Sequence, residues 1–126
     1  MESSPILIVD DDNDVRRALT ELLEDEGYAV AGASNGRVAL DLMRGGVRPA
    51  LILLDLMMPG MDGWDFRHVQ MRDPELARVP VVVVTASGLS RESIRTELGP
   101  IEMVPKPISP ATLLDVIERL TAATTT

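Results

Sequence analysis

Leu51-Ile-Leu-Leu-Asp-Leu-Met-Met-Pro-Gly-Met-Asp-Gly63 runs an apolar segment into an acid and then into a turn. Leu51 to Leu54 have the composition of a strand covered on both faces of a parallel sheet. The exits of such strands are where open α/β sheets place ligands, and Asp55 stands at this one. Met58-Pro59-Gly60-Met61-Asp62-Gly63 is dense in turn formers. An isolated acid here also reads as an ordinary strand-end residue, so the remainder of the chain has to decide.

The same pattern recurs on either side. Ile6 to Val9 is an apolar run ending in acid, after which the period turns helical, with Leu19, Leu22 and Leu23 on one face as far as Gly27. Tyr28 to Ala33 reads as a weaker strand, and Asn35 can cap a helix to about Arg44, closed by Gly45 and Gly46. A third helix should run from Asp62 or Gly63 to Arg72, and Val79 to Val84 is a fourth strand ending at Thr85. A short helix from Ser90 to Leu98 precedes a fifth strand, Ile101 to Val104. Ser109 and Pro110 supply the cap and first turn of a last helix to about Leu120. Thr121 to Thr126 reads as a flexible tail.

Five strands alternating with five helices predict an α/β fold, a doubly wound five-stranded parallel sheet of the flavodoxin-like type. Strands one, three and four are almost wholly apolar, whereas strand two carries Gly32 and strand five carries Glu102. Two and five are therefore the edges, and the order 2-1-3-4-5 follows. The winding reverses between strands one and three, so Asp10, Asp11 and Asp55 should converge at one crevice.

At 126 residues the chain has room for one domain, with a core from about residue 5 to 120. No run of about 18 apolar residues offers a membrane span, and no basic-then-apolar N-terminus marks export. The expectation is a cytoplasmic protein, a monomer or weak homodimer. The absence of cysteine excludes disulfides, thiolate metal sites and cysteine nucleophiles. A net charge of -8 argues against direct binding of nucleic acid. Eleven of the twelve basic residues are Arg, which singles out Lys106.

Three carboxylates at one strand-end crevice repel unless their pKa values rise or a cation sits among them. An all-oxygen set with room for water suits Mg²⁺, with Mn²⁺ as a substitute. Asp12 or Asn13 serves as the cap of the first helix, which leaves Asp10 and Asp11 for metal. Asp10, Asp12, Asp14 and Glu21 also match acidic positions of a calcium loop, but Val15 replaces the required glycine and Ile6 to Val9 is no entering helix. Thr85 and Lys106 follow strands on the same sheet edge, adding a hydroxyl and an ammonium. Nucleophile, metal, donor and cation together make a phosphoryl-transfer site.

These residues resemble a response-regulator receiver domain of two-component signalling over residues 5 to about 120. The likeness rests on Ile6-Leu-Ile-Val-Asp-Asp-Asp12, Leu54-Asp-Leu-Met-Met-Pro-Gly-Met-Asp-Gly63, Val84-Thr-Ala86 and Lys106-Pro107. It implies that Asp55 accepts a phosphoryl group from a histidine kinase or histidine phosphotransfer protein and then alters binding to a downstream protein target. It further implies that Asp10, Asp11, Asp55 and the Met57 carbonyl hold Mg²⁺ and that Thr85 and Lys106 contact the phosphoryl oxygens. The Lys106-Pro107 bond is expected to be cis. Two departures stand out: Met103 occupies the position of the usual aromatic switch residue, and Pro105 stands where an apolar strand former is common. Met57 and Ser87, two residues beyond Asp55 and Thr85, are uncharged and bear on how water reaches the site.

The remaining features read as structural. His68 belongs on the surface of the third helix, Trp64 packs or caps locally, and Arg91 and Arg95 form a solvated face. No DNA-binding or enzymatic output domain is found in these residues, so a stand-alone switch is expected. The chain is not expected to be an enzyme beyond catalysing its own phosphotransfer and dephosphorylation. The alternatives are a degenerate receiver that only binds partners, a flavodoxin-like carrier, and an aspartate-nucleophile phosphatase. The phosphatase would want a second Asp where Met57 stands, and the flavin carrier would want more aromatics than one Trp, one Tyr and one Phe.

Overall fold

The computed structural model describes residues 4–58, 60–85 and 90–122, apart from the side chains of Thr85 and Ala122. In chain order the elements are β1 (Ile6–Val9), α1 (Asn13–Asp25), β2 (Val30–Ala33), α2 (Gly36–Arg44), β3 (Leu51–Asp55), α3 (Gly63–Arg72), β4 (Val81–Thr85), α4 (Arg91–Leu98), β5 (Glu102–Pro105) and α5 (Pro110–Ala122). The strands form one parallel sheet in the order β2-β1-β3-β4-β5, as the strand compositions predict.

Alternation along each strand builds two cores. Leu7, Val9, Ile52, Leu54 and Val83 face α2, α3 and α4, where Leu40, Phe66 and Ile94 are buried against them. Ile6, Ile8, Leu51, Leu53, Val82 and Val104 face α1 and α5, meeting Leu19, Leu23, Leu113 and Ile117. Both faces of the central strands are therefore dry, which is why they read as unbroken apolar runs.

Several boundaries move, each for a local reason. Tyr28 and Ala29 fall outside β2 because Tyr28 belongs to the end of α1. Its N–H donates to the Leu23 carbonyl (3.0 Å) and the Gly27 N–H to the Glu24 carbonyl (3.0 Å), with Gly27 at φ 93°. That is the Schellman closure of a helix. β4 starts at Val81 instead of Val79, because a 3-10 turn over Leu76–Arg78 precedes it. Buried Gln70 of α3 holds this turn, donating to the carbonyls of Leu76 (2.9 Å) and Val79 (3.1 Å). β5 runs one residue later than expected and includes Pro105, which an edge strand tolerates at its end. α5 continues through Thr121 and Ala122, so the expected tail from Thr121 is corrected at those two residues; residues 123–126 lie outside the described part.

Of the two candidates for the first cap Asp12 serves, the expected caps Asn35 and Ser109 are present, and Asp62 and Ser90 cap α3 and α4 as well. Asp12 accepts from the N–H groups of Asp14 (2.9 Å) and Val15 (3.2 Å), Asn35 from Val38 (3.0 Å), Asp62 from Asp65 (3.0 Å), and Ser90 from Ser93 (3.2 Å). Ser109 accepts from Thr112 (3.4 Å) at the start of α5. The calcium-loop alternative is excluded by geometry, since Asp10 directly follows a strand and Asp12 is spent on capping.

Candidate functional site

Register brings the acids together. Val9 pairs with Leu54, so the next residues, Asp10 and Asp55, leave β1 and β3 side by side. Thr85 at the end of β4 pairs with Pro105 of β5, which sets Lys106 on the same sheet edge. Strand alternation adds direction: Asp10 continues the parity of Ile6 and Ile8, Asp55 that of Leu51 and Leu53, and Lys106 that of Val104. All of those apolar residues face α1 and α5.

The side chains meet accordingly. The Lys106 ammonium lies 3.5 Å from an Asp10 oxygen and 3.6 Å from an Asp55 oxygen. Asp10 and Asp55 are buried, whereas Asp11 is exposed at the rim. One oxygen from each of Asp10, Asp11 and Asp55 lies within 4.8 Å of the others. One small cation can bridge that spacing, and an all-carboxylate donor set open to water on the Asp11 side fits a hard, oxygen-seeking ion.

The Asp55 carboxyl titrates above its ordinary value, chiefly because it is buried. The Met57 N–H, which donates to Asp55 Oδ1 at 3.1 Å, opposes that rise; Asp10 adds to it, Lys106 opposes it, and Asp11 adds again. A single ammonium shared by two buried carboxylates leaves negative charge in excess. Met57, two residues beyond Asp55, is 60% exposed.

The turn after β3 is held at close range. Gly63, the first residue of α3, donates its N–H to the Leu56 carbonyl at 3.2 Å. A Cβ on Gly63 would sit 2.3 Å from the Asp55 carbonyl oxygen and 2.7 Å from the Leu56 Cα. Only glycine permits this approach, so the glycine read from the sequence as a turn former is a packing requirement of the strand that carries Asp55.

Thr85 terminates β4 beside the crevice, with its side chain outside the described atoms; Ser87 lies outside the described residues altogether. Met103 is partly buried in β5 and packs on the core shared with α4. The Lys106-Pro107 bond is cis, as expected. A groove of about 360 Å³ runs from Lys106 between α1 and the loop before α5, lined by Val15, Leu19, Leu22, Pro107 and Ile108.

Residues read as structural stay so. Trp64 is partly buried against the core, and Arg91 and Arg95 are exposed. His68 is half exposed on α3, 3.9 Å from Glu97 of α4 and not among the acids. Sequence reasoning missed Arg16, whose guanidinium reaches the Asp10 carbonyl at 2.7 Å. The available signal was an Arg one helical turn beyond the capping Asp12.

Residues 6–118 match the family model for the response regulator receiver domain. The chain belongs to this family. Protein PilH of Pseudomonas aeruginosa is 32% identical over 118 residues, covering 93% of this chain and 97% of that protein. Response regulator MprA of Mycolicibacterium vanbaalenii is 37% identical over 122 residues, covering 95% of this chain and 51% of that protein. The receiver chain spans about half the length of several curated relatives, as with MprA. Among solved structures, the receiver domain of a histidine kinase from Syntrophus aciditrophicus superposes with a TM-score of 0.87 at 29% identity, covering 98% of this chain and 93% of that one. Chemotaxis protein CheY4 of Vibrio cholerae gives a TM-score of 0.81 at 30% identity, covering 94% of this chain and 99% of that one.

Proposed function

We propose that this receiver domain is a phosphoacceptor switch in which Asp55 takes a phosphoryl group from a histidine kinase or histidine phosphotransfer protein. The observation that carries the reading is the Lys106 ammonium held 3.5 and 3.6 Å from Asp10 and Asp55, with the Asp11 carboxylate alongside. A purely structural strand end has no use for three converging acids and the chain's lone lysine. An Asp55 oxygen attacks phosphorus, the bond to the donor nitrogen breaks, and an acyl phosphate forms on the carboxyl group.

Asp10, Asp11, Asp55 and the Met57 carbonyl are the groups that would hold Mg²⁺, or Mn²⁺ in its place. When bound, the ion would shield the charge of the incoming phosphoryl group. Lys106 holds one phosphoryl oxygen through its ammonium, and Thr85 holds another through its hydroxyl. Burial of Asp55 restricts water around the acyl phosphate, and the absence of an acid or base at Met57 leaves no side chain there to activate water.

The apolar groove beside Lys106 suits the helix of a kinase or phosphotransfer protein that presents the phosphodonor. The response passes from Thr85 and Lys106 into β5 and the surface of α4, β5 and α5, where a downstream protein binds. Met103 takes the place of a switch ring, and an unbranched, flexible side chain can fill the space beside β4 in several rotamers. No helix among the described residues is long and apolar enough to cross a membrane, and the reading places the domain in the cytoplasm. Mg²⁺-dependent acylphosphate labelling confined to Asp55 tests this reading.

A further inference from the structure

Asp10 is fixed at three points besides Lys106. Its N–H donates to the Ala33 carbonyl of β2 (3.1 Å), its Oδ1 accepts from the Asp12 N–H (2.9 Å), and its carbonyl accepts from Arg16 Nη1 (2.7 Å). The second terminal nitrogen of the same guanidinium donates to Asn13 Oδ1. Arg16 therefore clasps both ends of the turn that carries Asp10 and Asp11. Among the described residues its guanidinium pairs with no carboxylate within 4.0 Å, and these two bonds go to neutral oxygens.

The stem of Arg16 reaches the turn by lying over β2. A Cβ added to Gly32 would meet Arg16 Cδ at 3.6 Å and Nε at 3.8 Å. A methyl group would only touch the stem, whereas a branched side chain would occupy its path. The weakest strand composition in the sheet thus has a use, because Gly32 leaves the lane through which a residue of α1 reaches the end of β1.

We propose that Arg16 is a positioning residue that sets divalent-cation affinity by holding the Asp10–Asp11 turn, with Gly32 giving it passage; this rests on the cation-dependent reading of the acidic site. Groups that orient metal ligands without touching the metal commonly change affinity by about 10- to 100-fold when removed. The planar fork matters as much as the charge, since its two terminal nitrogens each serve one oxygen, the Asp10 carbonyl and Asn13 Oδ1, whereas a single compact ammonium would have to serve both.

The test is calorimetric titration of Mg²⁺ into the parent, Arg16→Ala, Arg16→Lys, Gly32→Val and the Arg16→Ala/Gly32→Val double variant, with urea unfolding of each in chelator. Arg16→Ala and Gly32→Val should each weaken Mg²⁺ by about tenfold or more. The double variant should be no weaker than Arg16→Ala, because both changes remove one contact and their effects cannot add. Arg16→Lys should recover little. Gly32→Val should keep the parent's urea midpoint in chelator, since valine suits an exposed strand position. Parental affinity in Arg16→Ala, full recovery in Arg16→Lys, or additive losses in the double variant would each overturn the positioning role. A parent that binds no Mg²⁺ would overturn the cation reading itself and this proposal with it.

Discussion

Lys106→Met removes the ammonium between Asp10 and Asp55 while keeping the length of the stem. Each contact, at 3.5 and 3.6 Å, is worth about 4 to 5 kcal/mol of gross attraction at an effective dielectric of about 20. Desolvation offsets much of it, and deleting one partner of a buried ion pair costs about 3–5 kcal/mol net. Lys106 is 29% exposed and Asp11 opens the crevice to water, so we expect less than the fully buried cost, about 2–3 kcal/mol in chelator at neutral pH. With a urea dependence of about 1–3 kcal/mol per molar, the midpoint should fall by about 1 M. The cost should shrink as pH is lowered. Asp55 already titrates high, and losing an ammonium that opposes this rise lets it take up a proton and discard the unpaired charge. Mg²⁺ should bind the variant more tightly than the parent, because the ammonium no longer competes for the same oxygens. Urea unfolding from pH 5 to 8, with chelator and with Mg²⁺, measures both. A variant as stable as the parent at neutral pH in chelator, or one stabilised less than the parent by Mg²⁺, would refute the electrostatic account.

Asp55→Asn should act in the opposite sense. Because the folded-state pKa of Asp55 is raised, ionising it opposes folding, and the stability it contributes at low pH is lost as pH rises from the unfolded value through the folded one. The asparagine variant should therefore melt higher than the parent in chelator at neutral pH, with the advantage fading toward pH 4, as thermal unfolding across pH would reveal. Gly63→Ala should destabilise by about 3 kcal/mol or more, since its Cβ would meet backbone at 2.3 Å with no flexible side chain to yield. Its amide spectrum should change at Asp55 and Leu56, and an unchanged melting temperature would contradict the close approach.

Much of this molecule was legible in the sequence because parallel strands buried on both faces need unbroken apolar runs. Gly32 and Glu102 then marked the edges, and the edges dictated an order in which Asp10, Asp55 and Lys106 share one end of the sheet. The gathering of the acids followed from register alone. What could not be read depends on side chains reaching across elements. Nothing local in Gln70 announces that it holds the Leu76–Arg78 turn, and nothing in Gly32 announces that Arg16 crosses it. Tyr28 read as strand because aromatics favour strands, yet its N–H was claimed by the Schellman closure of α1. Gly63 read as a turn former, whereas its role is to let α3 touch the backbone of β3.

The central claim is that Asp55 is the phosphoacceptor and that a divalent cation is needed for the reaction. The most direct measurement is intact-protein and peptide mass spectrometry after incubation with acetyl phosphate, for the parent and Asp55→Asn, with Mg²⁺ or with chelator. We predict one phosphoryl group on the peptide containing Asp55 in the parent with Mg²⁺, and none in chelator or in the variant. Full labelling of Asp55→Asn at another residue, or equal labelling of the parent in chelator, would contradict the account.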